Sequence, residues 1–309
     1  MAGVESGEPP NPVGSVLAVD IGGTKMAVGL VRGDGVLAAS ARTPTVTDRD
    51  AEAVYAPLRA LVADVLAEGR GLGLTPEACG VGCGGPMTRG GETVSPLNIE
   101  GWREFPLRSR LVEDTGLPTH VDNDAKALAL GEGWSGAARG VGSYLAMVVS
   151  TGVGGGIVLD GRLLDGDSGN AGHIGHLIVE PDGRACACGA RGCLEAEASG
   201  TAIAAITGRP AGEGTPAVRV RTGRLVGRAV ASVANLLDLR LAVVAGSVAL
   251  GFGTDFFDAA QAELDRSARL DYSIGVRILP AGLGADGPLV GAAAVGFAGL
   301  GHPVLGGRR

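Results

Sequence analysis

One short pattern occurs twice in this chain and limits what it can fold into: an apolar strand, a glycine-crowded turn, a second apolar strand and a closing Asp-Gly. The first copy runs Ser15-Val-Leu-Ala-Val-Asp20, Ile21-Gly-Gly-Thr-Lys25 and Met26-Ala-Val-Gly-Leu-Val31, closed by Asp34-Gly35. The second runs Tyr144-Leu-Ala-Met-Val-Val149, Ser150-Thr-Gly-Val-Gly-Gly-Gly156 and Ile157-Val-Leu159, closed by Asp160-Gly161. Apolar, β-branched runs bounded by turn residues read as hairpins. The copies lie about 130 residues apart, close to one domain length. This spacing predicts two related α/β lobes, each offering one glycine turn, with the ligand in the cleft between them.

The chain between and after the copies alternates strand with helix. Asp50 to Ala67 carries Val54, Leu58, Leu61, Val62, Val65 and Leu66 at helical spacing behind an acidic start. A strand around Cys79 to Cys83 runs into Gly84-Gly85-Pro86. His120-Val121 closes another strand, and Ala125 to Trp134 reads as a helix capped by Asp122, Asn123 or Asp124. Leu225 to Leu237 is a further helix, Leu239 to Ala245 a strand, and Phe252 to Leu270 a helix. Such alternation marks an α/β protein. The predicted division is a tail over residues 1–14, a small N-terminal lobe over 15–123 joined by a C-terminal helix at 288–309, and a large lobe over 124–287.

Composition narrows the functions open to the chain. There are 55 glycines in 309 residues, but 45% of residues are hydrophobic and there is no Gly-X-Y period, so neither collagen nor disorder fits. Lysine and arginine number 26 against 33 acidic residues, a net charge of −7 with no basic block to track a phosphate backbone, which excludes nucleic acid as a partner. The first 14 residues lack the basic start and apolar run of a signal peptide, so a cytoplasmic protein is expected. Two uncharged stretches, Gly140 to Leu159 and Gly287 to Gly306, approach membrane-spanning length. Their glycines make the first a hairpin and the second a buried Gly/Ala helix.

Glycine turns without Cβ atoms let backbone N–H groups converge on phosphate. Ordinary hairpin turns would need no more than Asp-Gly or Asn-Gly, and neither turn has the spacing or trailing helix of a P-loop or a dinucleotide fold. Asp20, at the end of an apolar strand, suits Mg²⁺. His176 followed by Cys186-Ala-Cys188-Gly-Ala-Arg-Gly-Cys193 offers one nitrogen and three sulfurs in a compact span, the ligand set of a closed tetrahedral zinc site. Gly189 and Gly192 would let that loop curl. Cys79 and Cys83 sit on an apolar strand and read as core. Phosphoryl transfer to an alcohol also requires a carboxylate to receive the hydroxyl proton. Asp124, at a strand-to-helix junction, is the candidate, although one of Asp122, Asn123 and Asp124 also caps the helix.

These segments together resemble the ROK family (repressor, open reading frame, kinase) over nearly the whole chain. The matching residues are Asp20-Ile-Gly-Gly-Thr-Lys25, Gly82-Cys-Gly-Gly-Pro86, Pro96-Leu-Asn98 with Gly101-Trp102, Asn123-Asp124-Ala125, Ser150-Thr-Gly-Val-Gly-Gly-Gly156 and the His/Cys segment. The resemblance implies the two-lobed actin/hexokinase-like (ribonuclease H-like) ATPase fold, with the active site in the interlobe cleft. It implies ATP held by Asp20, Gly22, Gly23, Thr24 and Lys25, by Thr151, Gly152, Gly154 and Gly155, and by Gly246. Asp124 would be the base. Gly85, Asn98, Asn123, Asp124, His173, His176 and Glu195 would bind sugar, and His176, Cys186, Cys188 and Cys193 a structural Zn²⁺. A homodimer is implied as well.

One departure bears on substrate. Glucokinase-like members carry Glu in a Gly-Glu-Ile-Gly-His stretch, whereas Gly172-His-Ile-Gly-His176 has His173 in its place, and imidazole can donate where a carboxylate only accepts. The wording Ala171-Gly-His-Ile-Gly-His176 is similar to that of the family's N-acetylmannosamine kinases, so a 2-acetamidohexose stands beside glucose as the expected substrate. A second departure is Lys126, where Asn is common in the family; it is expected to face solvent. The family's repressors carry a winged helix before the first hairpin, and about 14 residues leave no room for one, so a kinase is expected over a sugar-sensing regulator or a silent sugar-binding protein. ATP or polyphosphate as donor stays open.

Overall fold

The computed structural model describes residues 11, 13–47 and 50–306. Most of the expected tail over 1–14, and residues 307–309 of the expected C-terminal helix, lie outside the described residues. The chain forms two compact units. One holds the residues up to Gly140, Asp165–Ala171 and those from Leu283 onward, and the other holds Val141–Leu164 and Gly172–Gly282.

In the first unit β1 (Ser15–Ile21), β2 (Lys25–Arg32) and β3 (Leu37–Pro44) form an antiparallel meander. α1 (Ala51–Gly71) leads to β4 (Ala78–Cys83), α2 (Leu107–Thr115) leads to β5 (Thr119–Asn123), and α3 (Asp124–Ser135) follows β5 directly. β4 pairs parallel with β1 and β5 parallel with β4, giving the order β3-β2-β1-β4-β5. α1 begins where predicted, with Asp50 accepting a hydrogen bond from the Ala53 N–H at 3.0 Å. Its Val54, Leu58, Val62 and Val65 are buried, as is Tyr55.

The second unit repeats this topology. β6 (Tyr144–Val149), β7 (Val153–Leu159) and β8 (Arg162–Leu163) form the meander. After α4 (Leu194–Ala198), α5 (Gly200–Thr207) and α6 (Pro216–Leu237), β9 (Leu241–Ala245) pairs parallel with β6. α7 (Ser247–Phe252) and α8 (Thr254–Ser267) precede β10 (Arg277–Pro280), which pairs parallel with β9. The order β10-β9-β6-β7-β8, taken from its other edge, matches the first sheet strand for strand. Mixed α/β units with two five-stranded sheets are therefore what the repeated hairpin encodes.

α9 (Gly287–Gly299) belongs to the first unit. It is apolar on every side because it lies between the sheet and α3. A Cβ on Gly80 of β4 would fall 2.0 Å from the Ala292 carbonyl oxygen, and a Cβ on Gly131 of α3 would fall 2.9 Å from the Gly291 Cα. Small residues thus set how closely these backbones approach. The uncharged run from Gly287 is a buried helix, and no described helix is long and apolar enough to cross a membrane.

Several boundaries differ from the sequence reading, and the C-terminal helix expected over 288–309 ends at Gly299, with residues 300–306 in turn and coil. The first unit extends through α3 to Gly140 rather than stopping at Asn123, because α3 packs against α9. α6 begins at Pro216, nine residues before the predicted Leu225. The single helix expected from Phe252 is broken at Gly253, whose φ of +59° no helix accepts. β7 starts at Val153, so Gly154, Gly155 and Gly156 are strand residues opposite Val148, Met147 and Ala146 rather than part of the turn.

Candidate active site and metal centre

In an open sheet, ligands gather outside the carboxyl ends of the parallel strands. In the first unit the register places Asp20 of β1 beside Gly82 of β4, and Gly82 beside Asp122 of β5; Ile21, Cys83 and Asn123 follow in the next row. The three strands therefore deliver Asp20, the Gly84-Gly85 segment and Asn123-Asp124 to one end of the sheet. Gly82 lies between the two acids: a Cβ there would sit 3.6 Å from the Asp124 Cα and 3.9 Å from Asp20 Oδ1. Gly85 adjoins Asn123, its Cβ position 3.7 Å from Asn123 Nδ2. The Leu97 N–H donates to the Gly85 carbonyl at 3.3 Å, bringing the exposed Asn98 alongside. The β1–β2 turn reaches the same place, since a Cβ on Gly23 would meet Asn98 Cβ at 2.6 Å. Gly22, Thr24 and Lys25 complete that turn, with Thr45 Oγ1 donating to the Gly22 carbonyl at 2.7 Å.

The three candidate caps of α3 divide the work. Asn123 Oδ1 accepts from the Ala125 N–H at 3.0 Å, Asp124 Oδ1 accepts from the same N–H at 2.8 Å, and Asp122 Oδ1 accepts from the Asn123 N–H at 2.8 Å. Burial, reinforced by the nearby Asp124 charge and only partly offset by Lys25, pushes the Asp20 carboxyl up to about 7. The influence of Asp124 on Asp20 marks the two carboxylates as near neighbours at this end of the sheet. Burial raises the Cys83 thiol well above its ordinary range, with Asp124 and Asp20 adding to it. Both Cys79 and Cys83 are core residues, as expected.

Lys126 contradicts its expected place on a solvent-facing helix surface. Its side chain is 4% exposed, and its Nζ lies 2.8 Å from Asp122 Oδ1 and 2.5 Å from Asp165 Oδ1. Burial opposes its charge, yet Asp122 and Asp165 together hold it above the ordinary lysine range. The signal was present in the sequence: Ala125, Ala127, Leu128, Ala129 and Leu130 leave α3 no polar face, and Asp122 stands four residues upstream.

In the second unit the β6–β7 turn, residues 150–152, lies beside the end of β9. Gly246 has φ +100° and a Cβ there would strike the Val149 carbonyl oxygen at 2.3 Å, which brings Ser247 Oγ to 3.0 Å from Ser150 Oγ. The Thr151 carbonyl accepts from Thr201 Oγ1 at 3.0 Å. Thr201 was not singled out from sequence; a hydroxyl beside a glycine turn is the signal. Glu195 Oε2 accepts from the Val153 N–H at 2.9 Å, and a Cβ on Gly152 would sit 2.9 Å from that same oxygen. Gly155 is bare for a different reason from a phosphate turn. A Cβ there would meet Ile174 at 2.7 Å and the Gly172 carbonyl at 3.1 Å, so the strand admits the segment bearing His173. The His173 and His176 rings lie 6.1 Å apart.

The ligand atoms of His176, Cys186, Cys188 and Cys193 all lie within 4.8 Å of one another. Cys186 Sγ is 3.7 Å from His176 Nδ1 and Cys188 Sγ 3.7 Å from Cys193 Sγ. Zinc bonds of ~2.3 Å to sulfur and ~2.0 Å to nitrogen give tetrahedral edges of about 3.8 and 3.6 Å. The four residues therefore fit Zn²⁺ in ligand type and spacing. The loop is held by its own backbone: Gly192, φ +71°, packs so closely that a Cβ would fall 1.6 Å from the Glu180 carbonyl oxygen. Below it the buried Glu197 binds the Arg184 N–H at 2.7 Å and Arg221 at 2.5 Å. Burial works against that carboxylate, but the Arg184 N–H and Arg221 outweigh it and lower its pKa. Cys193 precedes α4, whose second residue is Glu195, so the His/Cys cluster adjoins the carboxylate that accepts from the β6–β7 turn.

The ROK family model matches residues 16–296. An N-acetylmannosamine kinase from Escherichia fergusonii is 37% identical over 254 residues, 77% of this chain and 85% of that protein. Among solved structures, a ROK family glucokinase from Streptomyces griseus, in complex with glucose and AMPPNP, is similar with TM-score 0.80 at 30% identity, covering 92% of this chain and 100% of that one. A ROK hexokinase from Thermus thermophilus is similar with TM-score 0.79 at 35% identity, covering 93% and 99%.

Proposed function

This chain belongs to the ROK family, and from that premise we propose that it is an ATP- and Mg²⁺-dependent sugar kinase acting on the 6-hydroxyl of a 2-acetamidohexose of the N-acetylmannosamine type. The observation that carries the reading is the convergence of Asp20, Gly85, Asn98, Asn123, Asp124 and the Gly22–Lys25 turn at one end of the first sheet.

The residues divide the chemistry as follows. Asn98 and Asn123 offer amide donors and acceptors to neighbouring sugar hydroxyls, with Gly85 leaving room for the ring. The 6-hydroxyl oxygen attacks the γ-phosphorus, the bond to the ADP oxygen breaks, and the hydroxyl proton passes to Asp124 late in the transfer. Asp20 would hold Mg²⁺, which would supply charge neutralisation at the phosphates. The glycine turns at 22–25 and 151–152, with Gly246, present backbone N–H groups to the nucleotide. Gly154 and Gly155 take part only as the strand that follows the turn. His176, Cys186, Cys188 and Cys193 would hold Zn²⁺ in a site whose four positions are all protein ligands, so the ion fixes Glu195 and the loop without activating water. Glu195 and the free ring nitrogen of His176 are assigned to sugar. A homodimer rests on the resemblance alone.

His173 supports the acetamido substrate, because an imidazole N–H can donate to an N-acyl carbonyl. The 37% identity to an N-acetylmannosamine kinase supports it too. Glucose is the second reading, favoured by likeness to a glucokinase structure. The test is ADP release from Mg²⁺-ATP with no sugar, glucose, mannose, N-acetylglucosamine and N-acetylmannosamine at equal concentration. The highest kcat/KM is expected for N-acetylmannosamine. Preference for glucose would overturn the role of His173, and no turnover with any sugar would overturn the kinase reading.

A further inference from the structure

Lys126 is a buried charge that the proposed chemistry does not use. Its three donors are all engaged, with Asp122 Oδ1 at 2.8 Å, Asp165 Oδ1 at 2.5 Å and the Gly169 carbonyl at 3.5 Å. Every residue from Ala125 to Trp134 is buried. An apolar side chain at 126 would fill this place at no desolvation cost, and replacing buried ion pairs by apolar groups is often neutral or stabilising. Stability alone therefore does not account for the lysine, and what it grips must.

On one side it grips the segment that presents the candidate base: Asp122 Oδ1 also accepts from the Asn123 N–H, and Asn123 and Asp124 follow. On the other it grips Asp165–Ala171. That segment belongs to the first unit although its sequence neighbours on both sides, Leu164 and Gly172, belong to the second. The segment closes on itself through the Ala171 N–H to the Asp165 carbonyl at 2.9 Å, and Gly166 and Gly169 take φ of +72° and +82°. Its residues are mostly exposed, so little apolar burial holds it. The lysine ties it to the helix that begins with Asp124. The segment also runs straight into Gly172-His173.

We propose that Lys126 is a positioning residue that clamps the Asp165–Ala171 loop beside the Asp122-Asn123-Asp124 turn, making that loop a specificity-determining wall of the acceptor sugar site. The inference rests on the sugar-kinase reading. It separates sugar recognition, which depends on the clamp, from ATP binding, which does not.

The experiment compares wild type, Lys126→Met, Lys126→Arg, Asp165→Asn and the Lys126→Met/Asp165→Asn double variant in the full chain. It reads KM for the best sugar, KM for ATP, kcat, melting temperature and hydrogen exchange of residues 165–171. Lys126→Met is expected to raise the sugar KM about tenfold to hundredfold, with the ATP KM unmoved. Asp165→Asn should act in the same direction, the double variant should be no worse than Lys126→Met, and exchange in the loop should quicken in each. Lys126→Arg, which keeps the charge, should recover most of the sugar KM. An unchanged sugar KM in an active Lys126→Met, sugar and ATP KM rising together with a fallen melting temperature, or additive single effects would overturn the clamp. Asp165→Asn, on the exposed side of the pair, keeps the test decisive should Lys126→Met fail to fold. A wild type that turns over no sugar would instead overturn the kinase reading, and the clamp with it.

Discussion

Asp20→Asn should make the protein more stable at neutral and basic pH while destroying its turnover. The Asp20 carboxyl is pushed from 3.8 up to about 7 in the folded protein. Between those values the native state keeps a proton that the unfolded chain has released, so the native state binds more protons and stability falls as pH rises. Each pH unit in that window costs about 1.4 kcal/mol, so the Asp20 contribution falls by roughly 2.5 kcal/mol between pH 5 and pH 8, flattening above about 7. Asparagine carries no charge to repel Asp124 and removes this slope. Both tryptophans, Trp102 and Trp134, lie in the first unit. Tryptophan fluorescence in urea therefore reports the unfolding of that unit alone. With EDTA and without nucleotide, the stability difference in favour of the variant should widen by roughly 2.5 kcal/mol between pH 5 and pH 8. A variant that follows the wild-type slope, or is less stable at pH 8, would refute the reasoning. Saturating Mg²⁺-ATP should narrow the gap, because only the wild type gains from the bound cation.

Two further substitutions probe the scaffold. Gly80→Ala drives a methyl into the Ala292 carbonyl, 2.0 Å away, and the Gly296 N–H, 2.6 Å away. It should destabilise the first unit by about 2 to 3 kcal/mol in the same fluorescence assay, and an unchanged urea midpoint would show that α9 does not pack on β4 as described. Cys188→Ser removes one of four zinc ligands. Elemental analysis should find about one zinc per wild-type chain and far less in the variant, with a lowered melting temperature; a metal-free wild type of undiminished stability would contradict the metal centre.

Much of the site was legible because its signals are local. The hairpins announce themselves through apolar runs and turn glycines, and strand ends place Asp20 and Asp124 where parallel register brings them together. His176 and the three cysteines likewise come together from one short span. What stayed hidden depends on partners distant in sequence. For Lys126 the apolar run of α3 and Asp122 four residues upstream carried part of the signal, but its second partner, Asp165, arrives 39 residues later. Gly154 and Gly155 looked like turn residues because glycine marks both a turn and a close backbone approach, and only the Gly172–Ile174 segment tells which. β3 and α2 were missed since their half-exposed residues, Ala-Ala-Ser-Ala in β3 and Arg-Ser-Arg in α2, give no clear period. The helix break at Gly253 was legible in principle, for glycine within an apolar period is the commonest place for a helix to stop.

The central claim is that Asp124 accepts the hydroxyl proton of a sugar during phosphoryl transfer from ATP. Its most direct test is single-turnover ADP formation by Asp124→Asn against wild type, with sugar binding to each measured by calorimetry. The variant should bind sugar within about tenfold of wild type and lose about 10²- to 10⁴-fold in rate, the usual contribution of a positioned base. A rate near that of wild type would remove Asp124 from the chemistry and contradict the account.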